Sequence, residues 1–380
     1  MVSRLCLSDL HLGDARSVLS SPEIASRVVS DLALLSGGAI GTLILNGDVW
    51  EECVPSDMTK LSFGIATSVL TASKQFLGEL LRQVQINTIV VVPGNHDLSL
   101  WSWYCEKAAK ESPYTNVKGR VVDSSKWPWS EFFDGFGGEL RISYPIYQDP
   151  TVGDDFPMLV FTHGHLLDPL VLGWDPTAEY DALAALGCSR PSVPADGEEI
   201  TTLQALAARV NDFCLSLWKR YSPLEYAYSN YIMRRLLHPQ SCEWQHFFDD
   251  EGAYEIDALS DQPLPHQGYM EQVPWFLNLL LMDPNLPSPV GTLGPRPVGK
   301  GPVGPAFTKS SCLVFGHDHL GLRRQVVACG VPFMVVDSGG WTSEFDGHLP
   351  HCHVLVWQKA TDVAPTSYFL CARTKDGGLL

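Results

Sequence analysis

Five short stretches of the 380-residue chain gather residues that could hold metal ions. "SDLH" supplies Asp9 and His11, and "NGDVWEE" supplies Asp48 with Glu51 close behind. "PGNHD" supplies Asn95, His96 and Asp97. "FTHGH" supplies His163 and His165, and "FGHDH" supplies His317 and His319. Alternate residues of an extended chain point to the same side, so Asp9 pairs with His11 and His317 with His319. Taken alone, Asp9 and His11 would suit a turn cap equally well. Taken together, the stretches offer carboxylate, amide and imidazole donors, a mixed set that suits Mn, Fe or Zn better than Ca. Such ions act as Lewis acids and lower the pKa of a bound water.

These residues need a frame that brings distant segments together. Each stretch follows an apolar, strand-like run. Residues 2–8, 42–48 and 87–97 read as strands, separated by helical stretches at 22–35 and 58–84. Pro22 stands at the first position of its helix, after a Ser cap. Strands are also expected at 139–147, 157–162, 311–316, 325–329, 332–337, 351–357 and 366–371. Val- and Ile-rich strands alternating with helices indicate an α/β chain with a largely parallel sheet. In such sheets ligands bind outside the carboxyl ends of the strands, where all five stretches lie. The segment from 170 to 306 differs. Its first part carries helical periodicity at 203–218, and its end, 283–307, is dense in Pro and Gly.

The ordered set resembles the calcineurin-like metallophosphoesterase superfamily. That family's pattern is D-x-H, G-D-x-x-E or a variant, G-N-H-D/E, a lone H often followed by Gly, and G-H-x-H. Here it reads Asp9-Leu10-His11, Gly47-Asp48-Val49-Trp50-Glu51, Gly94-Asn95-His96-Asp97, His163-Gly164 and Gly316-His317-Asp318-His319. The resemblance covers roughly residues 1–165 and 310–375. It implies a β-sandwich of two mixed sheets flanked by helices, an α/β (α+β) fold. Residues 1–169 and 307–380 would form the catalytic core, and 170–306 an inserted, mainly helical cap.

The resemblance also implies roles. Asp48 would bridge two divalent ions, with manganese expected first and iron or zinc as alternatives. Asp9, His11 and His319 would complete one metal site; Asn95, His163 and His317 would complete the other. His96 would stabilise the transition state and protonate the leaving oxygen, oriented by Asp97 or a nearby carboxylate. Glu51 would accept a hydrogen bond from behind the ligands. His165 is left between a substrate-facing role and a structural hydrogen bond. The implied activity is hydrolysis of a phosphomonoester, phosphodiester or diphosphate bond by a metal-bridging hydroxide. A catalytically inactive scaffold of the same fold and a nuclease of the same superfamily are the alternatives.

Departures from related patterns narrow the expectation. The Arg residues that mark protein Ser/Thr phosphatases are missing from "GDVWEE" and "GNHDLS". "GDVWEE" and "VDSGGWTSE" (336–344) are similar in style to UDP-2,3-diacylglucosamine hydrolases. The insertion is longer than theirs, however, and His96 stands where that branch commonly has Arg. Trp218, Tyr221 and Trp244, with Arg234 and Arg235, are candidates for a cap wall that selects substrate.

Composition sets the outer bounds. The net charge is −17, with 45% hydrophobic and 18% charged residues. An acidic surface argues against broad nucleic-acid binding and against anionic membranes. A phosphorylated small molecule, nucleotide or lipid stays open as substrate, because bound cations invert the local field. Ten Cys are scattered without a CxxC pair and read as reduced thiols. No signal peptide is visible, and the apolar run "WFLNLLLM" (275–282) is too short to span a bilayer. The cytoplasm is the expected location.

Overall fold

Alternation within the Val-, Ile- and Leu-rich strands sorts their side chains into two apolar layers. The computed structural model describes residues 2–14, 17–51, 65–105, 110, 117–150, 157–167, 202–208, 210, 265–282, 311–317, 323–328, 331–342 and 352–370. In the first part of the chain these include β1 (Val2–Leu7), β2 (Ala39–Leu45), β3 (Gln85–Val91), β4 (Arg120–Val122), β5 (Glu139–Ile142), β6 (Tyr147–Gln148) and β7 (Leu159–Phe161). Later come β8 (Ser311–Phe315), β9 (Arg323–Ala328), β10 (Val331–Asp337), β11 (His353–Trp357) and β12 (Thr366–Phe369). They form two mixed sheets. One has the order β12-β11-β1-β2-β3-β5-β4, and the other β6-β7-β8-β10-β9. In the first, β1, β2, β3 and β5 run parallel; in the second, β7, β8 and β10 do.

Cys6, Ile44 and Val90 sit side by side in register on β1, β2 and β3. They share one buried cluster with Phe161, Cys312, Val314 and Val336 of the other sheet. Their neighbours Leu5, Leu7, Leu43, Leu45, Ile89 and Val91 enter a larger core on the opposite face. Burial on both faces is why these strands read as continuous apolar runs. Phe161 of β7 meets Trp357 of β11 edge to face at 5.5 Å, which joins the sheets across that shared cluster. Arg4 of β1 adds a buried ion pair with Asp149, at 2.5 Å, and donates to the carbonyl of Ala360 at 2.6 Å.

Helix Pro22–Ser36 carries the chain from β1 to β2. The Ser21 hydroxyl accepts from the Ile24 amide, Pro22 occupies the first turn, and Gly37 ends the helix in the left-handed region at φ 63°. A second helical run covers residues 67–83, with a wide π turn at Lys74–Gly78. The short strand β4 was not expected from sequence, and the expected strand 139–147 is interrupted between β5 and β6.

Most of 170–306 lies outside the described residues, including the candidate wall residues Trp218, Tyr221, Arg234, Arg235 and Trp244. Helix Pro265–Met282 is described. It lies against β9 and against a 3-10 turn at His165–Leu167, and buries Val273, Phe276 and Leu277 in the main core. Among the described residues, no helix is long and apolar enough to cross a membrane.

Candidate metal centre

The parallel strands deliver their carboxyl ends to one edge. Asp9 and His11 follow β1, Asp48 follows β2, and Asn95, His96 and Asp97 follow β3. From the second sheet, His163 and His165 follow β7 and His317 follows β8. The loops stay paired beyond the strands: the amides of Asp9 and His11 donate to the carbonyls of Gly47 and Asp48, each at 2.9 Å. Trp50 is buried against Phe132 at 4.4 Å and Phe133 at 5.9 Å, which anchors the loop carrying Asp48.

The backbone is strained at the proposed ligands. Asp9, His11, Asp48 and His317 have φ of 55°, 44°, 48° and 81°. Lys110 is the only other non-glycine residue in that region among those described. Left-handed backbone costs an L-residue about 1–2 kcal/mol, and such strain persists where the surroundings enforce it. Close approach demands glycine at Gly94, where a Cβ would run into the Asp48 carboxylate.

Asp48 is the hub. Its Oδ1 accepts the His96 amide at 2.8 Å. Its Oδ2 lies 3.1 Å from His163 Nε2, 3.8 Å from His11 Nε2 and 3.9 Å from His96 Nε2. Burial alone would raise its pKa, but His163, His96 and His11 outweigh it and hold the carboxyl well below the usual range. Two groups of possible ligand atoms share this residue: His11, Asp48 and His96, and Asp48, His163 and His317. Within each group the atoms all lie within 4.8 Å of one another. These nitrogen and oxygen donors could hold metal ions.

His163 has no solvent exposure. Its Nε2 also meets Asn95 Oδ1 at 3.0 Å, while its Nδ1 donates to the Asn46 carbonyl at 3.3 Å. Burial pulls its pKa down, but the Asp48 and Asp9 carboxylates push it up to about 9. Asp9 Oδ1 accepts the His317 amide at 2.9 Å, and Oδ2 accepts from the Ser8 hydroxyl. Asp9 therefore ties β1 to β8, 3.8 Å from His163 Nδ1. His319 lies outside the described residues.

Glu51 is the carboxylate that meets His96. Its Oε1 accepts from His96 Nδ1 at 2.9 Å, and its Oε2 from His11 Nδ1 at 2.6 Å. Asp97 does a different job from the orienting role expected of it. It accepts the amides of Gly94 at 2.5 Å and Val49 at 2.9 Å, and so clamps the loops after β2 and β3 together. Burial and the Asp48 charge push the Asp97 pKa up to about 7. His165 is buried, with Nε2 3.3 Å from the Tyr144 hydroxyl. Burial, with His163 and His317 nearby, holds its pKa well below the usual histidine value.

Two contributors escaped the sequence reading. Asn46 joins the sheets at this edge by donating to the Thr162 carbonyl at 2.9 Å, and its own carbonyl receives His163. A polar residue closing the apolar run "TLIL" was the available signal. Tyr144 meets His165 only through the fold, and nothing local in "SYPIY" marks it.

Two mixed sheets and a buried His/Asp cluster that could hold metal ions define the class of protein, and the arrangement is compatible with a metal-dependent enzyme. No protein-family model matches the chain, and no curated protein matches it.

Proposed function

We propose that this chain is a dimetal-dependent phosphoesterase of the calcineurin-like superfamily. The observation that carries the reading is Asp48, one buried carboxylate common to a group with His11 and a group with His163 and His317; His96, which also stands close to the first group, is read as the acid and not as a ligand. In this reading the two sheets pack as a β-sandwich core from residues 1–169 and 307–380, and 170–306 forms the cap. His11, Asp48, Asp9 and His319 would hold one ion; Asp48, Asn95, His163 and His317 would hold the other. Manganese, iron or zinc suits these donors. When bound, such a pair supplies Lewis acidity to phosphoryl oxygens and lowers the pKa of water.

The chain's own residues supply the rest. Glu51 accepts from Nδ1 of His96, which leaves Nε2 of that ring to pass a proton to the leaving oxygen. Glu51 also accepts from His11, so one carboxylate orients the acid and a ligand together. Asp97 supports the reaction indirectly, by fixing the loops that carry Asp48 and Asn95. A phosphorylated small molecule, nucleotide or lipid is the proposed substrate, and the cytoplasm remains the proposed location.

The test is hydrolysis of p-nitrophenyl phosphate and bis-p-nitrophenyl phosphate with added Mn, alongside elemental analysis. About two ions per chain and release of p-nitrophenol are expected. A chain that takes up no divalent metal and cleaves neither ester would sink the reading.

A further inference from the structure

We infer that His165 is a substrate-contacting residue whose Nδ1–H donates to a phosphoryl oxygen beside His163 and His317, an inference that rests on the phosphoesterase reading. His165 opens the 3-10 turn directly after Gly164, and helix Pro265–Met282 packs on that turn. Its side chain is 1% exposed. Its ring lies 5.3 Å from that of His163 and 6.3 Å from that of His317. It therefore stands beside the group formed by Asp48, His163 and His317, but outside that set of mutually close ligand atoms.

The ring is oriented from one side. Tyr144, fully buried, stacks on it at 6.0 Å with 19° between the planes, and its hydroxyl reaches Nε2. In this proposal Tyr144, the phenol being the better donor, donates to Nε2, an assignment that puts the ring proton on Nδ1. Nδ1 is shut from solvent and, among the described residues, has no hydrogen-bond partner. A buried donor left unsatisfied is costly, and in a native structure it calls for an explanation. An acceptor that arrives with the substrate supplies one. Phosphoryl oxygens are such acceptors, and the neighbouring ligand group is where the reading brings them.

The experiment loads wild type, His165→Asn, His165→Gln and Tyr144→Phe with Mn. Metal content is measured by elemental analysis and affinity for inorganic phosphate by calorimetry. Asn carries its amide near the place of Nδ1, and Gln near that of Nε2. All four proteins should hold the same Mn. Phosphate affinity should fall about 10- to 100-fold in His165→Gln and stay within about threefold of wild type in His165→Asn. Tyr144→Phe should fall between them, and it keeps the test decisive if His165→Gln does not fold. Wild-type phosphate affinity in His165→Gln or Tyr144→Phe at full Mn content overturns the inference, as do equal losses in the Asn and Gln variants. A wild-type protein that takes up no Mn overturns the phosphoesterase reading, and His165's role falls with it.

Discussion

Nε2 of His163 stands 3.1 Å from Oδ2 of Asp48, with both side chains all but sealed from solvent. The same oxygen faces His11 and His96 at slightly longer range. A carboxylate among three imidazoles is held either by their protons or by cations that replace those protons. Asp48→Asn keeps the size and removes the charge. Elemental analysis of the Mn-loaded variant should show less than about one ion per chain, against about two in wild type. Turnover of p-nitrophenyl phosphate should fall by at least about 100-fold, the upper figure for losing even an outer-shell partner. Wild-type metal content in this variant would rule out a shared role for Asp48.

Glu51 gives a second handle, because its two oxygens serve two rings. Glu51→Gln turns one acceptor into a donor, so His11 and His96 cannot both be satisfied. Turnover should drop about 10- to 100-fold while the chain stays folded. Stability should respond as well. Burial works against the Glu51 carboxylate, yet His96 and His11 hold its pKa well below the usual range. A depressed folded pKa contributes stability above the unfolded value, about 4.3, and that stability is lost as pH falls below it. Urea midpoints of metal-free wild type should therefore fall more steeply between about pH 5 and 3 than those of Glu51→Gln. Parallel acid limbs would remove Glu51 from this role.

Much of this edge was legible in sequence, for a physical reason. Asp9 with His11, and Asn95 with His96, are local pairs at the ends of apolar strands, and parallel β1, β2 and β3 must bring their carboxyl ends together. What escaped depends on contacts that no local pattern encodes. Glu51 was legible as an acceptor behind the ligands, but not which rings it meets, 40 and 45 residues away. Asp97 looked like a partner for the adjacent His96 but turns to backbone amides instead, because the crossing loops after β2 and β3 expose two N–H groups that need an acceptor. The three-residue β4 is too short to show a period, and it forms because β5 offers it an edge.

Glycine substitutions separate steric demand from backbone freedom. A Cβ at Gly94 would strike the Asp48 carboxylate and crowd the His163 ring. Gly94→Ala should lower stability by about 1–3 kcal/mol, the usual cost of overpacking, and weaken Mn binding as Asp48 is displaced. Gly78 lies within the 67–83 helical run with open space where a Cβ would go. Gly78→Ala should raise stability by about 0.5–1 kcal/mol through helix propensity, with Mn content unchanged. Urea denaturation of both variants with and without Mn provides the check. A Gly94→Ala protein with wild-type stability and metal affinity would show that the loop carrying Asp48 is not held tightly.

The charge on His163 predicts how metal and pH work against each other. Without metal, the carboxylates of Asp48 and Asp9 overcome burial and hold its pKa at about 9. A raised folded pKa gives stability that is fully present below the unfolded value of about 6.5 and is lost as pH climbs through about 9. Asp97, raised to about 7, acts in the same direction over a lower window, from about pH 4 to 7. The chelator-treated protein should thus lose stability between pH 6.5 and 9, by about 3 kcal/mol at most. His163→Gln should show a flatter profile over that interval. Metal reverses the demand, because a ligating imidazole must give up its proton from Nε2. Adding Mn at pH 7 should then release about one proton per chain from His163, and Mn affinity should climb with pH towards 9. Urea midpoints at pH 6.5 and 9, with proton release read in two buffers of different ionisation enthalpy, test both halves. Equal midpoints for metal-free wild type at the two pH values would show that His163 is not held charged by Asp48.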